Sequence, residues 1–412
     1  MEIYREISAR LLHLVESTPA IVLTGARQTG KTTALRMAFP EHGYVTLELP
    51  SMADRAERDP EAFLKDHPPP LVVDEVQYAP GLFRHLKSAI DADRRAYGRF
   101  VLTGSQKFTL MRGVPESLAG RCVWLELEGF SLPEIRRTET WGTLETSALL
   151  DEVLLRGSFP ELWTNARLRP PDFFSSYVAT YLERDVRQLI NVSSLRDFER
   201  FIRACAHRNG QLLDRSDLAR DVGISPKTAD AWLGVLVASN QVFLLEPWFA
   251  NVGKRLVKSP KLYFADPGLC AWLLGITPLT LRGSPYLGGL WESLVYAELR
   301  KALVAHALPA SLWFYRDDRQ LEIDFLLTAG GRAVALEAKH TERPDARDAR
   351  GVQALMALAA AKSVRELAEC RGLIVSRTPE PYPVTETGPR VDTLDLERLP
   401  LWLAAFFGGT AA

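Results

Sequence analysis

The sequence predicts an α/β protein that opens with a parallel sheet wrapped in helices. Two observations carry this. Short apolar runs recur through residues 1–130, at Ile21–Thr24, Tyr44–Leu49, Leu71–Val73, Phe100–Thr103 and Val123–Leu127, with helix-length spacers between them. Continuous runs of this length suit strands covered on both faces. The first run also ends in a loop bracketed by glycines, and a helical pattern follows at once.

That loop, Gly25-Ala26-Arg27-Gln28-Thr29-Gly30-Lys31-Thr32, fits GxxxxGK[ST] at every fixed position. Glycines permit a tight turn whose backbone N–H groups face phosphate oxygens. The next helix adds its positive N-terminus. Lys31 is expected to reach the β- and γ-phosphates, and Thr32 to hold Mg²⁺. The expected contacts to ATP are Gly25, Ala26, Gln28, Thr29, Gly30, Lys31, Thr32 and Thr33.

The third run ends in two acids, Asp74 and Glu75. A carboxylate at the end of a buried strand is costly unless it has a task. Asp74 is expected to hold Mg²⁺ and Glu75 to polarise the attacking water. The fourth run leads into Gly104-Ser105-Gln106. A polar side chain there would sense the γ-phosphate if this strand lies between the two motif strands, and Ser105 or Gln106 is proposed for that role. Arg121, in Leu118-Ala119-Gly120-Arg121, is a candidate arginine finger, because a guanidinium offsets the charge that grows on the γ-phosphate.

Together, Gly25–Thr32, Val72-Val73-Asp74-Glu75-Val76-Gln77, Leu102–Ser105, Leu118–Arg121 and Tyr181-Leu182-Glu183-Arg184-Asp185-Val186 resemble the prokaryotic AAA-type ATPases that carry a DUF4143 region. The resemblance spans nearly the whole chain. It implies a P-loop ATPase core with an additional central strand and a catalytic glutamate. A winged-helix unit and a restriction-nuclease-like α/β domain would follow. It adds architecture more than a pathway.

On this reading residues 1–130 form the ATPase core, 131–192 a helical lid or linker, 193–280 the winged-helix unit and 281–412 the nuclease-like domain. Ser216–Ser225 and Lys227–Leu233 have helix-turn-helix spacing: Leu218, Ala219 and Val222 share a face, Gly223 turns the chain and Ser225 caps the second helix. From Arg196 to Asp230 there are 7 Lys or Arg against 6 Asp or Glu, poor for a helix that reads a groove. The hairpin beyond it differs. Pro247–Lys261 contains Lys254, Arg255, Lys258 and Lys261 and no acid, so duplex phosphates are expected at the wing. Arg184 and Arg187 are further candidates for reaching a nucleotide, against a plain surface charge cluster with Glu183 and Asp185.

Near the C-terminus, Glu322–Leu327 and Ala333–Lys339 read as strands. Residues i and i+2 share a strand face, so Glu337 and Lys339 converge, and Asp324 on a neighbour could join them. Two carboxylates can hold a divalent ion while a lysine orients water. This is similar to the PD-(D/E)xK nuclease pattern, with Asp324, Glu337 and Lys339 at its fixed positions and Glu292 as an additional acid. It implies Mg²⁺ or Mn²⁺ there, with the alternative of a nuclease fold kept only for binding. Residues 341–350 read as a solvated loop, although Arg343, Arg347 and Arg350 could touch a phosphate backbone near that site.

Composition bounds the rest. The 412 residues are 47% hydrophobic and 25% charged, as in an ordinary globular protein. A net charge of −1 excludes a chain that coats nucleic acid by bulk charge. The four cysteines, Cys122, Cys205, Cys270 and Cys370, are too few and too far apart for a disulfide framework or a CxxC zinc pair, which suggests a reducing cytoplasm. No uncharged apolar run reaches ~18 residues, and none near Met1 has signal length. The first functional reading is therefore a Mg-ATPase, hexameric by preference, that remodels or translocates DNA selected by structure more than by sequence, cleavage being optional. The second is a nucleotide-gated regulatory module with a protein partner. A third is a metal nuclease whose ATPase sets assembly only.

Overall fold

The structure, a computed structural model, describes residues 2–105, 118–182, 195–249, 259–318 and 320–408. Helix α1 (Ile7–Val15) leads into a five-stranded sheet of β1 (Ala20–Thr24), β2 (Gly43–Thr46), β3 (Leu71–Asp74), β4 (Phe100–Gly104) and β5 (Cys122–Glu126). All neighbours are parallel, in the order β2-β3-β4-β1-β5. Every residue of β1, β3 and β4 is buried, which is why these runs are apolar throughout. Val22, Val73, Leu102 and Phe83 pack one face, and Ile21, Leu23, Val72 and Leu35 the other. The helices between are α2 (Lys31–Ala38), α3 (Pro50–Arg58), α4 (Pro60–Asp66) and α5 (Leu82–Ala92). The run expected as Tyr44–Leu49 is a strand only to Thr46, because its partner β3 ends at Asp74, opposite Thr46, and Pro50 then starts α3.

After β5 come α6 (Leu132–Arg136), α7 (Thr146–Arg156), α8 (Pro160–Thr164) and α9 (Pro170–Tyr177). Next are α10 (Leu195–Ala206), β6 (Gln211–Leu212), α11 (Arg215–Val222), α12 (Pro226–Ala238), β7 (Val242–Leu245) and β8 (Lys261–Phe264). The three strands form an antiparallel sheet in the order β6-β8-β7. Gly223 takes a left-handed turn between α11 and α12, and the Ser225 side chain accepts from the Thr228 N–H. Helix α13 (Pro267–Leu273) leads to α14 (Leu287–Ala305).

A second five-stranded sheet follows, in the order β13-β12-β11-β10-β9, from β9 (Ser311–Arg316), β10 (Glu322–Ala329), β11 (Arg332–Ala338), β12 (Glu369–Ser376) and β13 (Val391–Asp395). Its first three strands are antiparallel, and β11, β12 and β13 run parallel. Helix α15 (Arg350–Ala361) makes the crossover and α16 (Leu399–Gly408) closes the fold. One apolar core runs unbroken from Phe130 through α7–α14 to one face of this sheet. Trp248, from beyond β7, helps to cover the other face. Among the described residues no helix is long and apolar enough to cross a membrane. All four cysteines are free.

Helix α14 touches both sheets. Its Arg300 lies 2.9 Å from Glu128 and 3.3 Å from Glu126 at the end of β5, and Lys301 donates to the Phe130 carbonyl at 2.8 Å. Glu298 accepts from the Leu132 N–H at 3.0 Å and from Lys301 at 2.8 Å. These charges are mostly shielded from solvent, so each needs its partner. Replacing Arg300 by Met strands two carboxylates. Urea unfolding of Arg300→Met is expected to show a loss of about 3 kcal/mol. A loss under about 1 kcal/mol would mean that this contact does not hold α14 on the first sheet.

Candidate functional site

The glycine loop follows β1 at the C-terminal edge of the first sheet, and α2 starts at Lys31. Gly25 (φ +152°) and Gly30 (φ +84°) take conformations that side chains rarely adopt, and a methyl on Gly25 would overlap the Leu127 carbonyl oxygen. The Lys31 ammonium is buried and donates to the carbonyls of Gly25 (3.1 Å) and Ala26 (2.9 Å). Burial lowers its pKa, against the pull of Glu75 and Asp74. A buried cation at the first turn of a helix suits a phosphate.

Three hydroxyls converge on Asp74. Thr32 donates at 2.7 Å and Tyr44 at 2.6 Å to one oxygen, and Thr103 donates to the other. Burial and the bond to Asp74 push the Tyr44 hydroxyl up to about 12, so it stays a donor. The Thr32–Asp74 pair fits Mg²⁺, which usually takes one or two protein ligands and completes its shell with water and phosphate oxygens. Glu75 stands at φ +55°, a left-handed conformation rare outside glycine. Its carboxylate accepts from the Ser105 hydroxyl (3.0 Å), the Ser105 N–H (3.3 Å) and the Gln77 amide. Strand β4 does lie between β1 and β3, and this position brings Ser105 to Glu75.

A cavity of about 370 Å³ opens beside the loop, lined by Ile3, Gln28, Thr33, Phe130, Pro160 and Asn165 among others. Arg5 closes one side of it. Its guanidinium donates to the carbonyls of Thr29 (2.7 Å), Glu128 (2.8 Å) and Gly129 (3.0 Å) and pairs with Glu134 at 3.0 Å. Arg121 stands at the opposite edge of the sheet. Cys122 is level with Ala20, the first residue of β1, so Arg121 is on the order of 15 Å from its own chain's loop. It makes a two-pronged pair with Asp91 at 2.8 Å.

The C-terminal residues also gather. Asp324 and Glu337 are cross-strand neighbours, and the Ala338 N–H donates to Asp324 at 3.0 Å. Lys339 holds Glu337 at 2.8 Å, and Glu292 comes from α14. Burial and Asp324 raise the Glu337 carboxyl well above the usual range. They push Glu292 up to about 7, against the pull of Lys261.

Lys261 corrects the reading of the hairpin. It was expected at the wing surface on DNA, yet its side chain is 3% exposed and its ammonium faces Glu322, Asp324 and Glu292. Lys261 is the first residue of β8, the middle strand, so its side chain points into the fold. Lys254, Arg255 and Lys258 lie outside the described residues, as do Gln106, Glu183, Arg184, Asp185 and Arg187. Of the loop arginines, Arg347 is spent on Asp345 at 2.9 Å.

Family models match three stretches of the chain. Residues 17–136 match a family model described as an AAA domain, residues 147–280 a domain of unknown function (DUF8612), and residues 287–393 another (DUF4143). Two mycobacterial proteins, each described as uncharacterized, Rv2008c of Mycobacterium tuberculosis and Mb2031c of Mycobacterium bovis, are 34% identical over 344 residues, 82% of this chain and 74% of theirs. The chain belongs to the AAA-type P-loop ATPases that carry a DUF4143 region. Among solved structures, a Walker-type ATPase of Pyrococcus abyssi is 17% identical, covering 66% of this chain and 96% of its own, with a TM-score of 0.45. The Thermotoga maritima RuvB Holliday junction branch migration motor is 15% identical, covering 58% and 89%, with a TM-score of 0.31.

Sequence reasoning on this ATPase missed Arg5, Tyr44 and the part played by Lys261. Gln77 stood inside the quoted motif without a role. Only Gln77 carried a local signal; the others are brought in by tertiary packing.

The Glu292 carboxyl gives a pH dependence. Its pKa rises from 4.5 in the unfolded chain to about 7 in the fold. A raised carboxyl stabilises fully below its unfolded value, and the gain is lost as pH rises through the folded one. Gln cannot titrate, so Glu292→Gln is expected to gain on the unmodified protein between pH 5 and pH 8, by on the order of 2–3 kcal/mol. Thermal unfolding of both proteins across that range checks it, and a constant gap refutes it.

Proposed function

We propose that this chain hydrolyses Mg-ATP and couples turnover to work on DNA, as an oligomer whose subunits complete one another's sites. The observation that carries the hydrolytic half is the pair of acids ending β3. Asp74 is bonded to the Thr32 hydroxyl at 2.7 Å, and Glu75 is held by Ser105 at 3.0 Å. Thr32 and Asp74 would hold Mg²⁺, which neutralises phosphate charge and orients the phosphates when bound. Lys31 would bind the β- and γ-phosphates, and the loop N–H groups would cradle them. Glu75 accepts the proton of the attacking water, and Ser105 and Gln77 fix the carboxylate for it. Ser105 also sits where a change at the γ-phosphate would be felt. The nucleoside would occupy the cavity beside Arg5 and Phe130. Arg121 is too far from its own loop, so as a finger it would serve a neighbouring subunit.

For DNA, the support is the α11–α12 helix-turn-helix backed by a three-stranded antiparallel sheet, which we read as a winged helix. With Lys261 buried, phosphate contacts fall to Lys254, Arg255 and Lys258. A specific observation favours the second reading, a nucleotide-gated module with a protein partner. Both arginines of α11 are already paired, Arg215 with Asp230 at 3.1 Å and Arg220 with Asp217 at 2.7 Å, and Arg208, before β6, pairs with Asp221.

The test is steady-state ATP hydrolysis with no DNA and with single-stranded, duplex, forked or four-way DNA. Glu75→Gln is expected to lower kcat by about 10²–10⁴-fold and to leave nucleotide binding intact. Stimulation by one DNA form supports the DNA reading. Hydrolysis indifferent to every form supports the regulatory one. Full activity in Glu75→Gln would remove the assigned base.

A further inference from the structure

The nuclease resemblance implies a divalent ion between Asp324 and Glu337, and the residues present do not fit one. A cation is already in place. The Lys261 Nζ lies 2.6 Å from Glu322, 3.6 Å from Asp324 and 3.8 Å from Glu292. Its side chain is 3% exposed, and Phe314 lies under the ammonium at 5.7 Å. A metal takes a carboxylate oxygen at about 2.0–2.6 Å. Bound to Asp324, it would face this ammonium across a few ångströms of buried space, where like charges repel strongly.

The lysine reaches the cluster from a separate part of the fold. Lys261 and Tyr263 are i and i+2 on β8, so one strand face delivers both. Tyr263 donates to Glu292 at 3.0 Å. The chain leaving β7 then joins the edge of the second sheet. Trp248 N–H donates to the Phe314 carbonyl at 2.7 Å, and Phe314 N–H to the Glu246 carbonyl at 3.2 Å. Asn209, beside β6, donates to the Gly289 carbonyl at 2.8 Å and accepts from Ser293 at 2.7 Å. Each contact runs from the three-stranded unit to α14 or the second sheet.

We propose that the Lys261 ammonium is the resident cation of the C-terminal acid cluster. It stands beside Asp324, one of the two carboxylates to which the nuclease pattern would bind a metal, and it latches the three-stranded unit to the second sheet. Lysine and divalent ion then exclude each other. The domain as folded here is a metal-free scaffold, and a metal can enter only when β8 leaves. Lys339 does not do the same job, since it is held by Glu337 and its side chain is 35% exposed.

The experiment is Mn²⁺ uptake by the full-length protein without nucleotide, read from the loss of the free-ion electron paramagnetic resonance signal. The unmodified protein is expected to take up the same Mn²⁺ as Asp324→Asn, and Mn²⁺ should shift the Tm of the two proteins equally. Lys261→Met is expected to take up one further ion per chain, abolished by adding Asp324→Asn. Lys261→Met/Glu322→Gln removes one charge from each side and serves if the single variant does not fold. An ion in the unmodified protein that Asp324→Asn abolishes overturns the proposal. So does a folded Lys261 variant that gains none.

Discussion

Buried charge, neutralised across the junctions between parts of the chain, is the constraint on which this structure turns. Arg5 answers Glu134 and three carbonyls, Arg300 answers Glu126 and Glu128, and Lys261 answers acids of α14 and β10. Taking an ion out of water costs several kcal/mol, and only a well-placed partner offsets it. Such pairs add little net stability, but they admit few alternative alignments. Helix α14 is common to two of them. Glu292 and Arg300 are eight residues apart, roughly 12 Å along the axis, so one rigid rod meets the acid cluster at one point and the ATPase sheet at the other.

The same constraint explains what could be read in advance. The parallel sheet was legible because strands buried on both faces are apolar throughout, and β1, β3 and β4 are. Residues Gly25–Thr32 with Asp74 and Glu75 were legible because phosphate and Mg²⁺ demand fixed residue types at fixed spacing. Gathering Glu292, Asp324, Glu337 and Lys339 needed only strand alternation and a resemblance. Lys261 was not legible. A lysine in a basic stretch without acids reads as a surface cation, and nothing local says that its strand is the middle one. Arg5 lacked a signal for the same reason: its nearest partner in sequence, Thr29, is 24 residues away, and Gly129 is 124 away. Helices α15 and α16 went unmarked, and so did β13.

Within the ATPase core, the strand order does chemical work. Because β4 separates β1 from β3, Thr103 and Ser105 stand between the glycine loop and the two acids. Thr103 reaches Asp74, and Ser105 reaches Glu75. Glu75 is turned out of the strand by its left-handed backbone, a conformation that persists only where its surroundings enforce it. The enforcement is visible: the Glu75 N–H meets the Thr103 hydroxyl at 3.3 Å, and its carboxylate is held by Ser105 and Gln77. On the proposed reading, these bonds fix the carboxylate that accepts the water's proton.

Arg121 bears on how such a site is completed. It is fixed to Asp91 by two bonds of 2.8 Å, at the sheet edge far from its own loop. The pair is solvent-screened, and screened pairs are weak even when their geometry is good. A guanidinium at the transition state, by contrast, contributes about 10³–10⁵ in rate in related phosphoryl transfers. On the proposed reading, giving up Asp91 for the γ-phosphate of a neighbour is a favourable exchange, because Arg121 lies too far from its own loop to serve it. On the proposed reading Asp91 is a resting place for the finger: it presents Arg121 at the subunit face without binding it too tightly to leave.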